Sequence, residues 1–205
     1  MIKKGFFYVV LMVFFMGFWL SVGLKAGKGR KLPLNLLDFK TPRKVITLHK
    51  RRGGFNIYSQ LKINMPYYSS RGRGVGFSTI VGFKAWAAAV NDGMSSKDIG
   101  LAGFETPACQ ITGADIHNVT VTAKAKFLDV KGEILFSIVV CEEGTVIGHS
   151  SYVISNPGNQ EITSKPFTIK SGKKYHAESY IVAEPYYPDT GDCGSAKFQS
   201  IKFNL

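Results

Sequence analysis

Residues 118–128 read NVTVTAKAKFL. Val119, Val121, Ala123, Ala125 and Phe127 share one parity, and Thr120, Thr122, Lys124 and Lys126 share the other. Successive side chains of an extended chain point to opposite faces, so this pattern predicts a strand with one apolar and one wet face. A short turn, marked by Asp129 and Gly132, leads to EILFSIVVC (133–141), which is almost continuously apolar. Such a run suits a central strand covered on both sides.

The same grammar extends outward in both directions. In NIYSQLKINM (56–65), Ile57, Leu61, Ile63 and Met65 oppose Asn56, Gln60, Lys62 and Asn64. Downstream, GTVIGHSSYVIS, KPFTIK, KYHAESYIVA and AKFQSIKFNL are short strand-like runs, separated by Gly144, Asn156-Pro157-Gly158 and Ser171-Gly172. Only AWAAAVNDG (85–93) has helical composition. It is short for a lone helix and follows the strand-like parity of Phe77, Thr79, Val81 and Phe83. Short strands recurring about every ten residues predict an all-β fold: a single β-sandwich, jelly-roll or Ig-like, over 55–205.

Ahead of that domain, Lys3 and Lys4 precede an uncharged run from Phe6 to Leu24. A basic start followed by an apolar run predicts a signal peptide or an N-terminal membrane anchor over 1–24. The expected location is secreted or extracellular, with tethering if the segment is retained. Residues 25–54 are basic and punctuated by Gly and Pro, and read as a linker or arm containing a strand-like island at 45–49. The first 91 residues hold sixteen Lys and Arg against Asp38 alone, whereas the remainder is slightly acidic, for an overall charge of +12. A basic front half on an exported chain points to a polyanionic surface as partner: a wall polymer, an acidic glycan or membrane headgroups, with a protein partner in addition.

Specific nucleic-acid recognition is not expected. RGRGVGF (71–77) lacks the full dinucleotide fingerprint, and Val75 stands where an RNA-recognition strand needs an aromatic. Cys109, Cys141 and Cys193 allow one disulfide in an oxidising compartment. Spacing leaves the pairing open. The loop-like contexts TPACQITG and GDCGS favour Cys109 with Cys193, leaving Cys141 as a buried thiol.

Two constellations carry candidate chemistry. His176, Glu178 and Tyr180 share one face of a strand, and a His-x-Glu pair can do acid–base work or ligate a metal. With no third group at ligand spacing, the expectation is a solvated polar face, with catalysis by His176 and Glu178 as the alternative. The second constellation is the pair of loops MPYYSSRGRG (65–74) and EPYYPDTGDCG (184–194). Tyr67, Tyr68, Arg71, Arg73, Tyr186 and Tyr187 are candidate ligand contacts, because amphipathic rings beside charges suit a sugar- or protein-binding surface. Glu184, Asp189 and Asp192 are candidate oxygen ligands for calcium, although Asp-Thr-Gly-Asp is also ordinary turn chemistry. No cofactor is expected. The function read from the residues is an exported, noncatalytic binding module that contacts an anionic envelope component, glycan or protein. The rivals are a small extracellular hydrolase and a secreted effector or toxin-like factor.

Overall fold

The alternating stretch lies within β7 (Ile116–Lys131), and its five apolar residues are all buried. The computed structural model describes residues 34, 37, 39–43, 45–48, 62–63, 75–79, 81–91, 99–184 and 190–205. Among them the other strands are β1 (Val45–Leu48), β2 (Lys62–Ile63), β3 (Val75–Thr79), β4 (Lys84–Asn91), β5 (Gly100–Glu105) and β6 (Ala108–Ile111). They continue with β8 (Ile134–Glu142), β9 (Thr145–Ile154), β10 (Gly158–Thr163), β11 (Phe167–Ile169), β12 (Lys174–Ala183) and β13 (Thr190–Asn204). The fold is an all-β sandwich of two sheets.

In the first sheet β12 is central. It pairs antiparallel with β8 on one side, and with β5 and β6 in succession on the other. β9 extends the sheet beyond β8, while β2 and β1 extend it beyond β5 and β6. β1 pairs parallel with β6, so the sheet recruits residues from the segment read as a basic arm. In the second sheet the order is β10, β7, β13, β4, β3, and β11 pairs with the other end of β7. Of the predicted strand at 56–65, Lys62–Ile63 is described as β2 and the rest lies outside the described residues. The helix-like stretch from residue 85 is strand: Ala85, Ala87 and Ala89 alternate inward, a period of two and not of 3.6.

Between the sheets runs a chain of edge-to-face rings. Phe83 meets Phe104, Phe104 meets Phe198 at 5.0 Å between centroids, Phe198 meets Phe136, and Phe136 meets both Phe127 and Tyr152. Edge-to-face contact suits the ring quadrupole and adds to the burial of large apolar areas.

A second apolar layer lies on the outer face of the first sheet. Leu101, Leu135, Val139, Cys141, Tyr180 and Val182 are buried there, with Leu34, Leu37 and Phe39 packed against them. The described part of the arm is therefore a cover for this face. Because both faces are covered, β8 reads as a continuous apolar run and every residue of β12 after Lys174 is buried.

Candidate functional site

The covered face corrects the expectation of a solvated His176–Glu178 pair. His176, Glu178 and Tyr180 do share one face of β12, yet each is 0% exposed. His176 Nε2 lies 3.0 Å from Glu178 Oε1, and the Tyr180 hydroxyl donates to Glu178 Oε2. A carboxylate acceptor calls for a ring proton on Nε2, and Nδ1 is a buried atom with no hydrogen-bond partner. Cys141 stands directly across from His176 on β8, and half-buried Glu105 stands across from Glu178 on β5. Burial first, and the charge of Glu178 second, push the Cys141 thiol above its ordinary range. A protonated, buried thiol is neither nucleophile nor metal ligand. His117 bonds Thr168 on β11, exposed His149 stands two strands from Glu178 on the same face with Val139 between them, and His49 lies outside the described residues. The cluster thus has three converging polar groups and no access for a substrate as it stands.

The cysteine pairing is also corrected. Cys109, Cys141 and Cys193 are all free. Cys109 lies not in a loop but in β6, facing the core between the sheets. Cys193 lies in β13 of the opposite sheet, one residue out of phase with inward-facing Asp192 and Gly194, so it points to the outer surface. A disulfide needs the two Cβ atoms roughly 4 Å apart, which an inward-facing position on one sheet and an outward-facing position on the other do not provide. Burial pushes the Cys109 thiol up to about 12. Cys193 is therefore expected to take up a thiol reagent in the folded protein, and Cys109 and Cys141 only on unfolding. Mass spectrometry of alkylated peptides with and without denaturant checks this, and equal labelling of all three without denaturant would refute it.

Tyr67, Tyr68, Arg71, Arg73, Tyr186, Tyr187 and Asp189 lie outside the described residues. Of the other calcium candidates, Glu184 is half-buried just beyond β12. Asp192 is buried in β13, where its Oδ1 accepts from the Glu133 amide at 3.2 Å. Among the described residues no group of three or more His, Cys, Asp or Glu is placed to hold a metal ion.

The outer face of the second sheet carries a site that the sequence did not announce. Phe77 is 55% exposed and Val75 42% on β3, and Trp86 is 40% exposed on β4. Phe77 and Trp86 are directly opposed across the two strands. Their outward position follows from what faces inward. A Cβ on Gly76 would overlap the Leu101 carbonyl oxygen of the other sheet, and one on Gly100 would overlap carbonyls of Val75 and Ala88. Ser78 Oγ accepts the Gly103 amide at 3.0 Å across the same gap. The sheets approach so closely here that only Gly76, Ser78, Ala85, Ala87 and Ala89 fit between them. The alternate positions, holding the large rings, are thereby committed to the surface.

Beside the rings runs a line of charge. Thr79 opposes Lys84, Lys84 opposes Lys197, Lys197 opposes Lys126, and Lys126 opposes Asn159, crossing β3, β4, β13, β7 and β10. Like charges directly opposite destabilise a sheet. One row away Lys124 is neutralised by Glu161 at 2.8 Å, but the three lysines of this row have no carboxylate at ion-pair distance among the described residues. The signal in the sequence was present but inverted: Val75-Gly76-Phe77-Ser78 alternates with the large residues outside.

No protein-family model matches the chain, and no curated protein sequence matches it. Among solved structures it is similar to part of an arabinose-bound α-L-arabinofuranosidase, at 9% identity and a TM-score of 0.33 over 81% of this chain and 30% of that one. It is also similar to a carbohydrate-binding module in complex with calcium and xylotriose, at 13% identity and a TM-score of 0.25, covering 63% and 92% of the two chains. A third likeness is to a family 43 arabinoxylan arabinofuranohydrolase from Bacillus subtilis in complex with cellotetraose, at 13% identity and a TM-score of 0.29, covering 72% and 28%. The chain spans less than a third of either hydrolase. At these scores the likenesses carry no argument about ligand or activity.

Proposed function

We propose that the chain acts outside the cytoplasm as a noncatalytic binding module that holds an anionic glycan of a cell envelope on the outer face of its second sheet. The observation that carries this reading is the unbalanced row Lys84–Lys197–Lys126 beside exposed Phe77 and Trp86. Three opposed lysines cost the fold and two half-exposed rings leave much of their apolar area in water, whereas a polyanion with apolar sugar faces uses both. Export rests on the run from Phe6 to Leu24 behind Lys3 and Lys4. The basic residues at 25–31 add long-range attraction to the same kind of partner. The segments holding the Tyr and Arg candidates enter β3 and β13 in sequence, two strands of this face, so Tyr67, Tyr68, Arg71, Arg73, Tyr186 and Tyr187 join the proposal as flanking contacts.

Binding of the full chain to an immobilised acidic polysaccharide, measured at several ionic strengths, tests this. Affinity is expected to fall as salt rises, and the combined substitution Lys84→Gln, Lys126→Gln, Lys197→Gln is expected to weaken it at least about tenfold while flattening the salt dependence. Neutralising Lys25, Lys28, Arg30 and Lys31 should have a smaller effect, mainly at low salt. Unchanged affinity in the triple variant would remove the face from the reading.

A further inference from the structure

The row of lysines has a direction as well as a charge. Thr79, Lys84, Lys197, Lys126 and Asn159 occupy one register position on five neighbouring strands. At about 4.8 Å between strands the row extends roughly 19 Å, perpendicular to the strands. The three cations stand at the centre and hydrogen-bonding side chains at both ends. The opposed rings of Phe77 and Trp86 lie one register step to the side, about 6.8 Å along the strands. Ser195 and then Asp129 continue that aromatic row onto β13 and β7. Among the described residues positive charge and aromatic surface therefore meet at the β3–β4 end, and Asp129 repels an anion from the other end of the aromatic row.

From this geometry we infer that the ligand is a linear polysaccharide with a carboxylate on every sugar, bound across the strands. Its acids lie along Lys84, Lys197 and Lys126, and one or two of its sugar faces rest on Trp86 and Phe77. This deepens the reading above and rests on it. The rise of one sugar in an extended chain is close to the spacing of strands, so each lysine meets a nearby acid without large rearrangement. A neutral glycan leaves three opposed cations unneutralised. A polyanion without rings neutralises the row but leaves the aromatics exposed. Only a ligand combining both features satisfies the whole face.

Three probes and four variants separate these cases. The probes are a polyuronate, a neutral polysaccharide and inorganic polyphosphate, each titrated calorimetrically into the full chain. The polyuronate is expected to bind at least about tenfold more tightly than the other two. Trp86→Ala should weaken polyuronate binding about tenfold and leave polyphosphate binding unchanged. Lys84→Gln and Lys126→Gln, at the two sides of the cation row, should each weaken it by several fold. Lys202→Gln, on the same outer face of β13 but outside the row, should not. All four positions are on the outer face, so each variant is expected to stay folded at the assay temperature, with Lys84→Gln and Lys126→Gln melting no lower than the parent because each relieves an opposed like charge. If polyphosphate matches the polyuronate and Trp86→Ala changes nothing, the acidic-sugar assignment is overturned while a charge-reading face survives. If Lys202→Gln is as damaging as Lys126→Gln, the row itself is overturned. If the neutral polysaccharide binds equally well, the lysines have no part in recognition and the inference falls. If none of the probes binds, the function proposed above falls with it.

Discussion

Glu178→Ala is expected to lower the stability of the fold by about 3–5 kcal/mol, the scale of taking a buried carboxylate out of the hydrogen-bonded network built around it. Glu178 is fully buried in β12, with one carboxylate oxygen on His176 Nε2 and the other accepting from Tyr180. Its removal leaves the His176 ring with neither nitrogen hydrogen-bonded, because Nδ1 already lacks a partner. Unsatisfied polar atoms in a dry interior carry their full desolvation penalty. Glu178→Gln keeps the shape and one acceptor and should cost less. Replacing both residues by apolar ones, His176→Phe with Glu178→Leu, should recover much of the loss, since the network is expensive to break and not especially stabilising to have. Urea unfolding of the three variants measures this. A loss below about 1 kcal/mol for Glu178→Ala would mean that the cluster is reached by water in solution, and the buried geometry would have to be abandoned. The arm makes this test informative, because Leu34, Leu37 and Phe39 pack on the apolar cluster that includes Tyr180. Loosening the network should therefore also loosen the arm, read as faster amide exchange around residues 34–43.

Gly76→Ala is the second substitution with a large expected effect. The new methyl would enter the space of the Leu101 carbonyl oxygen, which is backbone of the facing sheet and cannot rotate away. Overpacking of this kind costs about 1–3 kcal/mol. Relief requires β3 to move off β5, which would stretch the bond from the Gly103 amide to Ser78 Oγ. Since β3 also presents Phe77 opposite Trp86, the binding face should lose its shape with the stability. Phe77→Ser is the control: it removes an exposed ring and should change stability by less than about 0.5 kcal/mol, yet weaken ligand binding. The pair separates the position that builds the face from the residue that uses it. If Gly76→Ala melts like the parent and binds normally, the sheets are farther apart at this end than the geometry requires.

Much of the sandwich was legible in the chain. The parity of Val119 to Phe127 named the buried face of β7, and the unbroken run from Ile134 to Cys141 announced a strand covered on both sides. Both signals are local, because the period of two follows from the backbone alone. Tyr175 and Ile181 were likewise assignable to the core side of β12. What parity does not contain is the identity of whatever lies over the other side. His176, Glu178 and Tyr180 looked like a wet face, and became a buried one because an arm more than 130 residues upstream packs there. Cys109 and Cys193 both looked like loop residues, whereas pairing with distant strands placed one between the sheets and the other on the outer surface.

The candidate site shows the division most sharply. The sequence by itself determined that Gly76 and Ser78 alternate with Val75 and Phe77, and that lysines recur along β4, β7 and β13. It did not determine which alternate faced inward, since hydrophobicity favours burying the larger residues. The tertiary structure decided otherwise at this end, because two backbones approach too closely for any side chain larger than alanine or serine. Nor did spacing along the chain show that Lys84, Lys126 and Lys197 form one line. That line exists only through strand register, set by pairings between residues 71 and 113 positions apart, and charge on such a surface is read by neighbours in space rather than by neighbours in sequence.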